Sequence, residues 1–282
     1  MKISQALNIG TQVLIKNNIK SPILDSEILM SETIRKDKKF IILNSNQKLE
    51  EESFQYFKSL IKLRSTGKPI AYLTGNKSFW NYDFKINSDV LIPRPDTELI
   101  IDEVLKIVKY KKKLNILDIG IGSGCILLTI LKEKKDFYGV GLDISKKCLD
   151  ISRINASILN LNNRVKFFKS DVDNFTYGKY DLIISNPPYI KKFDLKYLDK
   201  DVINFEPKIA LDGGLEGLSE IRKVINKSSE LIKINGKLVL EIAYDQKREV
   251  VKLLKEKGFY INKILKDLAN NYRCIISTKI IK

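Results

Sequence analysis

The stretch Leu117-Asp118-Ile119-Gly120-Ile121-Gly122-Ser123-Gly124 decides how this chain of 282 residues is interpreted. An apolar run leads into three glycines at every second position. Glycine lets the backbone turn sharply and lets a ligand approach without an intervening Cβ. A dinucleotide fingerprint, G-x-G-x-x-G, needs glycine at position 125, where this chain has Cys125. The stretch predicts a tight strand-to-helix turn, either purely structural or open to a ligand, and it disfavours a pyrophosphate cradle.

Strand-like and helix-like segments alternate around and beyond this stretch. Such alternation predicts an α/β domain with an open, mostly parallel sheet and helices on both faces. The predicted strands are residues 114–119, 137–144, 165–170, 180–185, 237–242, 261–266 and 273–279. The predicted helices are residues 125–133, 145–160, 215–234 and 245–257.

The region before the sheet divides into two parts. Residues 1–75 carry apolar side chains at three- and four-residue spacing, which predicts a small helical domain. Residues 76–92 alternate apolar and polar, which predicts a β-hairpin. Asp96 or Thr97 is then placed to cap a helix over 98–109. We therefore expect domains at 1–75, at 76–112 for the hairpin and connecting helix, and at 113–282.

Composition limits the possible chemistry. The chain has no histidine, so Ser-His-Asp catalysis and histidine-ligated metals are excluded, and its three cysteines form no CxxC pair that would suggest zinc. No metal site is expected. No run approaches the roughly 20 apolar residues of a membrane span, and the start lacks an apolar signal core, so we expect a cytoplasmic protein with no membrane partner.

The net charge of +16 has two interpretations. It could attract a nucleic acid. Alternatively, it could reflect composition, because only 8 of the 50 basic residues are arginine and the lysines are spread along the whole chain. The second interpretation is favoured, since no arginine-rich cluster is present.

Two carboxylates follow predicted strands. Asp143 ends the second strand, where an acid can accept both hydroxyls of an adenosyl ribose. Its alternative role is to cap the next helix, which Ser145 could also do. Asp171 ends the third strand and could accept the exocyclic amine of adenine, with Val172 packed on the ring; aspartate is also common at strand ends for structural reasons.

The fourth strand ends in Ser185-Asn186-Pro187-Pro188-Tyr189. Proline has no backbone N–H and holds the chain extended. The Asn186 side-chain oxygen and the proline carbonyls are thus free to accept from the two N–H donors of a planar amide or amine, and Tyr189 could offer an aromatic face. The candidate catalytic residues are Asn186, Pro187 and Tyr189, and Pro188 is a further candidate for substrate binding.

These four motifs together resemble the S-adenosylmethionine-dependent methyltransferases of the Asn-Pro-Pro-Tyr group. The resemblance implies S-adenosyl-L-methionine as cofactor and a Rossmann-like, seven-stranded class I methyltransferase domain. The candidate cofactor-binding residues are Asp118, Gly120, Ile121, Gly122, Ser123, Gly124, Asp143, Asp171, Val172 and Asn186.

Three further runs select a family: residues 67–75 (GKPIAYLTG), 91–98 (LIPRPDTE) and 206–218, which contains Glu-Pro and Ala-Leu-Asp-Gly-Gly. They closely resemble the peptide chain release factor glutamine methyltransferases, although Val172, Ala243 and Asn270 depart from the usual residues. The resemblance implies methylation of the side-chain amide nitrogen (N5) of the glutamine in the Gly-Gly-Gln motif of class 1 release factors. It also implies a helical N-terminal domain that helps to dock that protein substrate, joined to the catalytic domain by a β-hairpin linker.

Two other substrates remain as alternatives. One is a ribosomal-protein glutamine, and the other is a nucleic-acid amine, adenine N6 or guanine N2. A DNA substrate is disfavoured because DNA methyltransferases usually need an added target-recognition region, and no insert of that size is present.

Overall fold

The computed structural model describes residues 1–280, which form two compact units. The first unit comprises Met1–Asn76 and Asp199–Phe205, and the second comprises Lys77–Leu198 and the described residues from Glu206 to residue 280. The grouping of residues 199–205 with the helical unit had no signal in the sequence. The division into three domains stays a prediction.

The first unit is helical. Its apolar core includes Ala6, Leu29 and Phe57. The buried Arg64 guanidinium joins distant parts of this unit, because it donates to Asp25 at 2.7 Å and to Asp201 at 3.1 Å. The helices are α1 (Ile3–Lys16), α2 (Pro22–Ile34), α3 (Lys38–Leu43), α4 (Glu51–Ser65) and α5 (Ile70–Thr74), with a later helix from residues 200–205.

A hairpin and one helix precede the sheet. The predicted hairpin is confirmed as β1 (Asn76–Phe79) and β2 (Tyr82–Lys85). The predicted connecting helix is α6 (Glu98–Ile107). The capping prediction is wrong, because no side chain caps α6. The Thr97 hydroxyl is directed instead to a carboxylate in the interior.

The sheet has seven strands in the order β5-β4-β3-β6-β7-β9-β8. Strands β3 to β7 are parallel and β9 is antiparallel to both of its neighbours. The strands are β3 (Asn115–Ile119), β4 (Tyr138–Asp143), β5 (Val165–Lys169), β6 (Tyr180–Ser185), β7 (Ile232–Glu241), β8 (Phe259–Lys266) and β9 (Tyr272–Lys279). The helices between them are α7 (Cys125–Glu133), α8 (Lys146–Ile158), α9 (Lys200–Phe205), α10 (Ser219–Leu231) and α11 (Lys247–Glu256).

Two apolar clusters cover the sheet. One packs α6 and α7 against it, with Ile101, Leu127 and Ile184 buried. The other packs α10 and α11 on it, with Ile183, Ile221 and Val250 buried. The predicted α/β fold, with a seven-stranded, mostly parallel sheet after a helical region and a hairpin, is confirmed. None of the helices within residues 1–280 is long and apolar enough to cross a membrane.

Candidate active site

The strand order places the predicted motifs at one edge of the sheet. The strand order reverses at β3, because β4 and β5 are added on one side of it and β6 and β7 on the other. Ligands of open α/β sheets bind at such a point, beyond the carboxyl ends of the strands. Ile119 is in register with Ser185, whose hydroxyl donates to the Ile119 carbonyl at 2.7 Å. The glycine turn and the Asn-Pro-Pro-Tyr turn therefore begin side by side.

A cavity of about 460 Å³ opens at this point, within the second unit. Ligand-binding clefts commonly have about 300–1,000 Å³. Its lining includes the glycine turn and the ends of β4, β5 and β6. It also includes Leu91, Pro93, Arg94 and residues 207–210.

The glycine turn adopts the backbone that its sequence predicts. Gly120, Gly122 and Gly124 have φ values of +77°, +56° and +83°, a region that L side chains rarely adopt. A Cβ built on Gly120 or Gly122 would meet no protein atom within 4 Å, whereas one on Gly124 would lie 2.8 Å from a Leu128 methyl. The first two glycines therefore leave open space for a ligand, and the third allows close packing on the helix.

Asp118 lies beneath this turn and is buried, with 1% of its surface exposed. It does not line the cavity. Neither carboxylate oxygen has a hydrogen-bond partner among the described residues. Burial raises the pKa of Asp118 to about 7, and the nearby charge of Asp143 adds to the rise. A buried carboxylate without a donor needs a positively charged or protic group to satisfy it.

Asp143 faces the cavity and holds the turn in shape. Its Oδ2 accepts from the Gly122 N–H at 3.0 Å and its Oδ1 accepts from the Ser145 N–H at 2.9 Å. Burial raises the pKa of this carboxyl, and these backbone donors counter part of the rise. Ser145 caps α8 by accepting from the Cys148 N–H. The side chain that caps α8 is therefore that of Ser145 and not that of Asp143.

Asp171 and Val172 also line the cavity, at the end of β5. Asp171 Oδ1 accepts from the backbone N–H of Asp173 at 2.9 Å, in a short 3-10 turn. Val172 is mostly buried and forms part of the apolar lining. A polar group and an apolar face therefore lie next to each other at the position where the sequence predicts an adenine contact.

The Asn-Pro-Pro-Tyr turn supplies the cavity with Asn186, Pro187 and Pro188. Tyr189 is not among the lining residues. Its hydroxyl lies 3.3 Å from Glu241 Oε1, and its ring packs on the apolar cluster under the sheet. The predicted aromatic contact between Tyr189 and a substrate stays a prediction.

Glu241 and Thr97 are site residues that the sequence did not identify as such. Glu241 ends β7, is 1% exposed, and accepts from the Thr97 hydroxyl at 2.9 Å. Thr97 in turn accepts from Asn186 Nδ2 at 3.4 Å. Burial raises the pKa of Glu241 to about 7, while Arg273 lowers it. The only sequence signal was the position of Glu241 near the end of the predicted strand 237–242.

Hydrogen bonds join two of the family-like runs, residues 91–98 and 206–218, to each other and join the second run to the Asn-Pro-Pro-Tyr turn. The buried Glu206 accepts from Arg94 Nη2 at 2.7 Å and from the Ile92 N–H at 3.3 Å, so it joins the two runs. Gln246 Nε2 donates to the carbonyls of Tyr189 and Gly217. Gln246 therefore ties the end of the Asn-Pro-Pro-Tyr turn to the 206–218 run.

The structure brings together most of the predicted site residues, but the roles assigned to them stay predictions. Ten of the thirteen predicted residues line the cavity, and the three that do not are Asp118, Gly124 and Tyr189. Within residues 1–280, no cluster of three or more acidic, cysteine or histidine side chains could hold a metal ion.

Comparison with known proteins defines the class first. Residues 96–260, more than half of the chain, match the family model described as the methyltransferase small domain, and residues 5–75 match the PrmC N-terminal domain. A solved methyltransferase structure from Pyrococcus furiosus has a TM-score of 0.55 and 18% identity, over 79% of this chain and 98% of that one. That similarity shows the fold alone. The protein is a methyltransferase.

Its relatives then define the family. The release factor glutamine methyltransferase of Clostridium acetobutylicum is 36% identical over 99% of both chains. That of Clostridium botulinum is 37% identical over 96% of both chains. The chain belongs to the release factor glutamine methyltransferase family. The predicted family and the predicted S-adenosylmethionine-dependent methyltransferase class are confirmed.

Proposed function

We propose that this protein transfers a methyl group from S-adenosyl-L-methionine to the side-chain amide nitrogen of the glutamine in the Gly-Gly-Gln motif of class 1 release factors. The observation that carries the proposal is the position of Asn186 and Pro187. They lie in the same cavity as the glycine turn, at the carboxyl ends of adjacent strands. The cytoplasm, where translation takes place, is the proposed location.

The cavity fits the methyl donor. Its positively charged ammonium group would lie over the glycine turn, where it would lower the cost of burying the ionised Asp118 carboxylate beneath that turn. The ribose hydroxyls would reach Asp143, whose oxygens retain lone pairs beyond those used for Gly122 and Ser145. Asp171 and Val172 would hold the adenine. When bound, S-adenosyl-L-methionine supplies an electrophilic methyl group on a sulfonium.

The residues of the chain make a weak nucleophile reactive by holding it. An amide nitrogen is a poor nucleophile because its lone pair is delocalised into the carbonyl. The Asn186 side-chain oxygen and the Pro187 carbonyl accept from the two N–H bonds of the glutamine. These acceptors stabilise the positive charge that grows on nitrogen. Orientation of bound reactants can supply about 7–11 kcal/mol of a barrier.

No strong base is required near the nitrogen. Methylation raises the acidity of the N–H bonds, so the proton can leave after the methyl group has moved, to water or to a carbonyl acceptor. Glu241 does not contact the cavity directly, since Thr97 and Asn186 stand between it and the cavity. We therefore assign it no proton-transfer step.

Transfer of labelled methyl groups distinguishes the proposed substrate from its alternatives. Purified protein and labelled S-adenosylmethionine are incubated separately with a class 1 release factor, with ribosomal proteins, and with RNA or DNA. We expect label in the release factor alone. A release factor whose Gly-Gly-Gln glutamine is replaced by glutamate is the matched control and should stay unlabelled. Label in ribosomal proteins or nucleic acid, without label in the release factor, would overturn the proposal.

A further inference from the structure

A chain of hydrogen bonds links the proposed substrate clamp to the interior of the sheet. Asn186 Nδ2 lies 3.4 Å from Thr97 Oγ1, and Thr97 Oγ1 lies 2.9 Å from Glu241 Oε2. Thr97 and Glu241 are 2% and 1% exposed. Water therefore has little access to the inner two members, and their partners are those that the protein provides.

The chemistry of the three groups gives this chain a single direction. An ionised carboxylate only accepts hydrogen bonds, and a hydroxyl has one proton to donate. Because Thr97 gives its proton to Glu241, its oxygen can only accept from Asn186. The Asn186 amide must then turn its NH₂ toward Thr97, which leaves its Oδ1 on the other side.

The position of Thr97 argues against a purely local role. Threonine before a helix usually caps it, yet no side-chain cap is present at the start of α6. The hydroxyl is used instead on a carboxylate 144 residues away. That carboxylate is itself costly to bury, as its raised pKa of about 7 shows, and Arg273 offsets part of the cost.

We propose that Thr97 and Glu241 are positioning residues that fix the orientation of the Asn186 amide so that its oxygen, and not its nitrogen, meets the substrate NH₂. The inference rests on the proposed function, in which that NH₂ is the methyl acceptor. Without the threonine hydroxyl, the two orientations of the amide differ little in energy. An inverted Asn186 amide would direct its own NH₂ at the NH₂ of the glutamine. The glutamine nitrogen would then not lie in line with the methyl group that it accepts.

The test replaces Thr97 by valine, which has nearly the same shape and no hydroxyl, and by serine, which keeps the hydroxyl. Single-turnover methylation of the release factor is measured at pH 8, where Glu241 is mostly ionised. We expect Thr97→Val to lower the rate constant by about 10- to 100-fold, since small misplacements at a reacting centre cost up to about that factor. Thr97→Ser should restore most of the wild-type rate.

Binding measurements separate positioning from general damage. Calorimetric affinity for S-adenosylhomocysteine should change less than about threefold in both variants, because the Thr97 hydroxyl is directed to Glu241 and Asn186. Thr97→Ala also lacks the hydroxyl and should show the same loss of rate as Thr97→Val. It replaces the valine variant in the test if the valine variant does not fold. A wild-type rate in the valine and alanine variants, or an equal loss in Thr97→Ser, would overturn the inference.

The wild-type reaction keeps the two proposals distinguishable. If the wild-type protein does not methylate the release factor, the proposed function fails. If it does, and removal of the Thr97 hydroxyl has no effect on the rate, only the positioning role of Thr97 and Glu241 fails.

Discussion

Gly122 offers a direct test of the proposed cofactor cradle. Its φ of +56° and the empty space around its Cβ position mean that alanine would be strained there but would clash with no protein atom. The left-handed backbone costs an alanine about 1–2 kcal/mol. The added methyl group would also project into a cavity that we assign to the ligand, where overpacking costs about 1–3 kcal/mol.

The two costs appear in different measurements. The strain lowers the free energy of unfolding, whereas the overpacking weakens ligand binding by roughly 5- to 150-fold. Gly178→Ala is the matched control, because Gly178 has a φ of +81° and does not line the cavity. We expect Gly122→Ala to weaken S-adenosylhomocysteine binding in calorimetry and Gly178→Ala to leave it unchanged. Equal affinities for the two variants would refute the cradle.

Three other predictions follow from the geometry. Asp143→Ala should weaken cofactor binding by at least about 100-fold, because hydrogen bonds to a charged acceptor contribute about 1.5–3 kcal/mol each. A 2′-deoxyribose analogue of the cofactor should bind the wild type more weakly than the cofactor does, whereas the variant should distinguish the two ligands much less. An equal loss of affinity in the wild type and the variant would contradict the ribose role of Asp143. Gly217→Ala should destabilise the fold by more than about 3 kcal/mol, because its Cβ would lie 2.4 Å from the Tyr189 carbonyl oxygen at a φ of +72°; thermal unfolding unchanged from wild type would contradict this packing. Asp118 holds its proton longer in the folded state than in the unfolded chain, because its pKa is raised to about 7. The stability contributed by this carboxyl is therefore present at low pH and is lost as pH rises from about 4 to 7. Over that range the free energy of unfolding of ligand-free Asp118→Asn, measured by denaturant titration, should increase relative to that of the wild type by up to about 1.4 kcal/mol per pH unit. A difference between the two that does not change with pH would contradict the burial of Asp118.

The sheet strands were predictable because their apolar runs end at turn or charged residues. The first four predicted strands match β3 to β6 within one or two residues at each end. The order of the strands in the sheet could not be predicted in the same way. The position of β9 between β7 and β8 depends on pairing between residues far apart in the sequence. Local periodicity carries no information about such pairing.

The site shows the same division between local and distant information. Gly120 and Asp143 could be identified because their residue types and positions at strand ends carry their chemistry. Thr97 was interpreted as a helix cap because the sequence shows only its neighbours along the chain. Its actual partner, Glu241, becomes visible only when β7 is placed beside β6.

The most direct test of the central claim follows a single-turnover reaction over time by mass spectrometry of the release-factor peptide that contains Gly-Gly-Gln. The reaction is run with wild-type protein, with Asn186→Ala and with Asn174→Ala. Asn174 is exposed and does not line the cavity, so it controls for the substitution itself. The account predicts one added methyl group on the glutamine with the wild type and Asn174→Ala. With Asn186→Ala it predicts a rate at least about 100-fold lower, at nearly unchanged cofactor affinity. Methylation of the glutamine by Asn186→Ala at the wild-type rate would contradict it.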